Sequence, residues 1–125
     1  MSEFRTITSD GEKYLWKYNY DEDDCQLDSF LVVRSEDKKG KLIIYFSTGK
    51  WDWGYCPFNK GVPAVYQNEP VIINLNQPWF TAQIISFVIN QMQVRISPGT
   101  AELYNGIEIL HKIGYEFDYR KAFEG

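Results

Sequence analysis

The chain is short of the residue types that do chemistry. It has one histidine, His111, and two cysteines, Cys25 and Cys56, in 125 residues. Tetrahedral zinc needs about four ligands, so no metal site or cofactor is expected. A nucleophile–base pair would need His111 and Cys56 to meet without any local motif to bring them together. No Gly-rich phosphate loop, Ser elbow or His-Glu-x-x-His run occurs. These gaps argue against an enzyme and leave the thiols as reduced, packed side chains.

Other absences narrow the class further. No run approaches the roughly 20 apolar residues of a membrane span. The opening Met-Ser-Glu-Phe-Arg has no apolar core of a secretory leader. A cytoplasmic protein without membrane contact is therefore expected. The formal charge is −4, split evenly as −2 for residues 1–60 and −2 for residues 61–125. Neither half is a basic arm, so no nucleic-acid partner is expected. From Gly61 to Val94 the sole formal charge is Glu69.

What is present is a globular balance of 44% hydrophobic and 24% charged residues, with 17% aromatics. The length fits one domain, residues 1–125. "KYLWKYNYD" sets Tyr14, Trp16, Tyr18 and Tyr20 at period two, with Leu15, Lys17 and Asn19 on the other face, which is a strand. "EFRTIT" before it and the run in "CQLDSFLVVRS" after it read as neighbouring strands, joined by the turns "SDG" and "DEDD". "LIIYFST" follows the charged turn "EDKKGK" and reads as a central strand, and "PVIINL" as a fourth. "YEFDY" near the C-terminus fits an edge strand. "DEDD", Asp21–Asp24, lacks the alternate spacing and distal Glu of a calcium loop and reads as a solvated turn.

Two helices are predicted. "QPWFTAQIISFVINQMQ", Gln77–Gln93, has Asn76 or Gln77 at its start and Pro78 in its first turn, where proline costs little. "AELYNGIEILHKIG" is capped by Ser97 or Thr100, carries Leu103, Ile107 and Leu110 on one stripe, and stops at Gly114. His111 falls off that stripe and is expected to be exposed. Gly106 weakens this helix by about 1 kcal/mol relative to Ala. The fold expected is α+β: an N-terminal antiparallel sheet of four to five strands, with the two C-terminal helices packed on it.

The first helix carries no charge at all. On a helical wheel its apolar residues span roughly 220°, against the roughly 100° stripe of a surface helix. Gln83, Ser86 and Asn90 form a narrow polar stripe with Trp79. The arc is covered either by the rest of the chain or by a second subunit. The second alternative makes Phe80, Ile84, Ile85, Val88, Ile89 and Met92 a homodimer interface. A second candidate site is the loop "GKWDWGYCPFNKGVP". Trp51, Asp52, Trp53, Tyr55 and Phe58 could line a pocket for an organic or cationic ligand, or fold over the sheet as a lid.

"VIINLNQPWFTAQIISFVINQMQ" resembles a loose set of small uncharacterised bacterial α+β proteins, many of them orphan reading frames on mobile DNA, including integron gene cassettes. In these, aromatic-rich strands lead into a short strand, a polar–Pro pair and an amphipathic helix. The likeness covers residues 13–93. It departs at Gln77, where Thr or Ser is commoner, and in the uncharged helix. The resemblance implies a compact domain of the mobile-gene type and carries over no catalytic residue. The function expected is that of a non-enzymatic accessory or protein-interaction protein acting as a homodimer. The alternative is a small-molecule binder using the aromatic loop.

Overall fold

The computed structural model describes residues 4–19, 29–37, 39–46, 62–96 and 98–117. Strand β1, Arg5–Ser9, and strand β2, Glu12–Asn19, form a tight hairpin. Its two central residues, Asp10 and Gly11, both have positive φ, 53° and 82°. That is the backbone of the turn whose twist matches a hairpin. Strands β3, Ser29–Ser35, and β4, Gly40–Phe46, continue the antiparallel meander. At their connection Asp37 Oδ1 accepts from the Ser35 hydroxyl at 2.6 Å and from the Lys39 N–H at 3.0 Å. These bonds hold the Asp37 carboxyl below its ordinary range.

The expected strand at residues 70–75 exists but does not join this sheet. It is β6, Glu69–Ile73, paired with β5, Val62–Tyr66, in a second hairpin. Gln67 and Asn68 turn it with φ of 53° and 65°. Pro63, read from the sequence as the end of a loop, lies inside β5. The edge strand near the C-terminus is β8, Glu116–Phe117, which completes this sheet in the order β6-β5-β8.

Helix α1, Pro78–Asn90, ends three residues short of the expected Gln93; of the two starts the sequence allows, Gln77 is the N-cap, and Pro78 lies in the first turn as expected. Gln77 makes no side-chain cap bond. The entry is shaped instead by Asn74, whose Oδ1 accepts from the Asn76 N–H at 2.9 Å and whose carbonyl accepts from the Gln77 N–H at 3.0 Å. The chain then departs from expectation. Residues Gly99–Leu103 form strand β7, and helix α2 spans only Gly106–Ile113, with Asn105 as N-cap. Thr100 is a strand residue and not a cap. The pairing of β7 parallel to β4 outweighs the helical spacing of Leu103 with Ile107. The main sheet is thus mixed, in the order β1-β2-β3-β4-β7. Gly114 ends α2 as expected, with φ of 129° and its N–H directed to the Leu110 and His111 carbonyls.

The fold is α+β, and both helices lie on one face of the main sheet. That inner face presents Trp16, Tyr18, Leu31, Val33, Leu42, Ile44 and Phe46 to Phe80, Ile84, Ile85 and Val88 of α1 and to Ile109 and Leu110 of α2. Among the described residues no helix is long and apolar enough to cross a membrane.

Candidate functional site

The apolar arc of α1 is covered by its own chain. Ile84, Ile85, Val88 and Phe80 are 0%, 1%, 0% and 4% exposed. Removing four such side chains from water contributes roughly 6–12 kcal/mol, an upper figure because unfolded chains are themselves partly compact. These residues therefore offer a second subunit no surface, which corrects the interface expected at them. Ile89 and Met92 are half-buried and pack against the edge of the same core.

The polar stripe of α1 is also used internally. Asn90 Nδ2 donates to Asp10 Oδ2 at 2.6 Å and to Ser86 Oγ at 3.2 Å, and the Ser86 hydroxyl donates to the same Asp10 oxygen at 3.3 Å. Gln83 accepts from the Tyr115 hydroxyl and donates to the Tyr66 hydroxyl at 3.4 Å. The amides and the hydroxyl of this stripe can both donate and accept, so they serve the Asp10 carboxylate and the two phenols without a formal charge. Two clefts of about 640 Å³ flank the helix and share Asn90. One includes Tyr14 and Arg95, the other Asp10, Trp79 and Lys112. His111 is exposed, as expected, and its Nδ1 lies 3.1 Å from the Tyr115 carbonyl. The aromatic-loop candidates Trp51, Asp52, Trp53, Tyr55 and Phe58 lie outside the described residues, as do Asp21–Asp24, Cys25 and Cys56.

The other, outer face of the main sheet is partly covered: Val32 and Ile43 at its middle are 5% and 9% exposed, Lys17, Arg34 and Lys41 are half-buried, and Lys13, Thr100 and Glu102 are exposed. Strand alternation and register assemble it from residues far apart in sequence. One cross-strand row is Leu15, Arg34, Lys41 and Thr100. The next is Lys17, Val32, Ile43 and Glu102, and the third is Asn19, Phe30 and Tyr45. Lys13, opposite Thr8, stands beyond the first row. Among the described residues of these strands, four cations thus gather on one face with a single acid, Glu102.

Arg34 and Lys41 are direct register partners across β3 and β4. Like charges placed directly opposite weaken a sheet. Among the described residues no salt bridge engages Lys13, Lys17 or Lys41. The Phe4 ring lies on this face, 5.9 Å from Lys17 Nζ and 5.9 Å from Arg34 Cζ, within cation–π range.

At the far end of the face the aromatics form a shelf. Tyr104, just after β7, is 68% exposed and stacks on Tyr45 at 4.9 Å with planes 6° apart. Phe30 abuts the other side of Tyr45 at 5.7 Å. Glu102 holds both phenols: the Tyr104 hydroxyl donates to Oε2 at 2.5 Å and the Tyr45 hydroxyl to Oε1 at 3.3 Å. The carboxylate bond raises the Tyr104 phenol above its ordinary range, followed by desolvation and charge, and desolvation leads at Tyr45. Gly106 sets the position of this shelf. A Cβ there would lie 2.6 Å from the Tyr45 carbonyl oxygen and 2.6 Å from Phe46 Cδ1. Its absence lets the chain after Tyr104 close onto β4.

Sequence reading missed this site because Lys13, Lys17, Arg34 and Lys41 are dispersed along the chain. The one available signal was the alternation on β2, which puts Lys17 opposite the aromatic face. The expectation of no nucleic-acid partner rests on the absence of a basic arm in either half of the chain. Comparison with known proteins adds no relative: no family model, no curated protein and no solved structure matches the chain.

Proposed function

We propose that this chain is a non-enzymatic interaction protein that engages an anionic partner through the outer face of its five-stranded sheet. The observation that carries this reading is the concentration of Lys13, Lys17, Arg34 and Lys41 on that face of a chain whose formal charge is −4. Such segregation attracts an anion to one side and repels it from the others. The interaction class expected from the sequence is kept, while the surface moves from α1, which is spent on the core, to the sheet. His111, with its Nδ1 toward a backbone carbonyl, is on α2 and away from this face.

Retention on heparin–agarose at pH 7 and low salt tests it. The wild type is retained despite its net negative charge. The double variant Lys17→Glu/Lys41→Glu, with a wild-type circular dichroism spectrum, passes through, while Lys112→Glu on α2 is retained. A wild type that passes through, or retention indifferent to Lys17 and Lys41, sinks the proposal.

A further inference from the structure

Resting on that reading, we infer that the anionic partner is a single-stranded nucleic acid, with a base stacked on Tyr104 and its phosphates over Lys17, Arg34 and Lys41.

The aromatic shelf separates this partner from an acidic peptide. Cations by themselves would serve either. A ring 68% exposed on one side and stacked at 4.9 Å on the other has a use where a flat π-system must be received. Glu102 fixes both phenols by hydrogen bonds, so little rotamer freedom remains to be lost when a base arrives. The same carboxylate divides the face. It repels phosphate from the shelf, while Arg34 and Lys41 in the first row, and Lys17 three strands away in the row of Glu102, attract it. Rows on a sheet face are about 7 Å apart, comparable with one step of an extended nucleotide backbone. Tyr45 lies in the third row and Arg34 and Lys41 in the first, so the stacked base and these cations are two rows, about 14 Å, apart, a span of about two nucleotide steps.

The shape of the surface favours an unpaired strand over a duplex. A duplex is read by an element that enters a groove, and its bases are stacked on each other. A sheet face with an exposed ring suits bases that are splayed out. A phenol ordinarily ionises near pH 10, so both rings are neutral through the physiological range and the shelf adds no charge of its own against phosphate.

Fluorescence anisotropy with a labelled twelve-nucleotide oligothymidylate and the matching oligouridylate is the test, with a labelled twelve-residue poly-glutamate peptide in parallel. Both oligonucleotides are expected to bind. With three phosphates neutralised and a slope of about −0.7 each, raising salt from 50 to 150 mM weakens binding about tenfold. Tyr104→Ala weakens it about 5- to 150-fold, the range measured for loss of one base stack, while Tyr104→Phe stays near wild type. Lys41→Ala lowers the salt slope by about 0.7.

Poly-glutamate binding as tight as the oligonucleotides, with no response to Tyr104→Ala, overturns the nucleic-acid inference and leaves the anion-binding face standing. Equal displacement by a duplex of the same length also overturns it. So does no binding of either oligonucleotide at 50 mM salt and protein on the order of 100 µM, the weak end of non-specific affinity. If heparin retention fails as well, the face itself is not the interaction surface, and both readings fall together.

Discussion

Replacing Gly106 with alanine sets helix propensity against packing, and the two predict opposite signs. Alanine is the better helix former, by at most about 1 kcal/mol. The added methyl, however, would lie 2.6 Å from the Tyr45 carbonyl oxygen and 2.6 and 2.7 Å from two carbons of the Phe46 ring. Neither neighbour has room to retreat. Tyr45 sits in β4, which is paired on both sides by β3 and β7, and Phe46 is 0% exposed. Overpacking of this kind costs about 1–3 kcal/mol or more. Set against the propensity gain, the net loss is about 1–2 kcal/mol, because backbone as well as side chain is met. For a chain of 125 residues the unfolding entropy near the midpoint makes this a drop in Tm of roughly 4–8 °C. Differential scanning calorimetry of Gly106→Ala beside the wild type measures it. An unchanged or higher Tm would refute the close approach of α2 to β4, and with it the placing of Tyr104 on Tyr45.

Two further perturbations probe the core and its buried phenol. Ile85→Asp, at a site 1% exposed, buries a carboxylate without a partner, at a cost of more than about 4 kcal/mol. It is expected to abolish the cooperative melt followed by circular dichroism, whereas a folded variant with wild-type Tm would mean that α1 turns this face outward. Tyr115, 1% exposed and bonded to Gln83, has its phenol ionisation raised well above 10, mainly by burial and secondarily by Tyr66. Above pH 10 the unfolded chain releases this proton while the folded chain keeps it. The sign is therefore a stability that is level below pH 10 and falls above it, by up to about 1.4 kcal/mol per pH unit for this group. Urea midpoints from pH 8 to 11 should fall less steeply in Tyr115→Phe, and equal slopes would show that Tyr115 is not the group responsible.

Local pattern carried much of the fold. Period-two aromatics placed β2, Pro78 placed the start of α1, and Gly114 placed the end of α2, because each is set by backbone and side-chain geometry within a few residues. The error at Gly99–Leu103 has a non-local cause. Leu103 has helical spacing with Ile107, but the free edge of β4 offers its residues parallel ladder bonds that no local pattern encodes. The missed β5 has the same origin, since Val62–Tyr66 gains its strand from partners at Glu69–Ile73 and Glu116–Phe117.

The amino-acid sequence by itself determined the fold class, the aromatic inner face of β2 and the breadth of the apolar arc on α1. These depend on spacing along one segment. Tertiary structure decided what covers that arc and where charge collects. Phe80, Ile84, Ile85 and Val88 are covered by the chain's own sheet. Lys17, Arg34 and Lys41 became neighbours through register, because the side chains on one sheet face are chosen by strand pairing and not by distance along the chain.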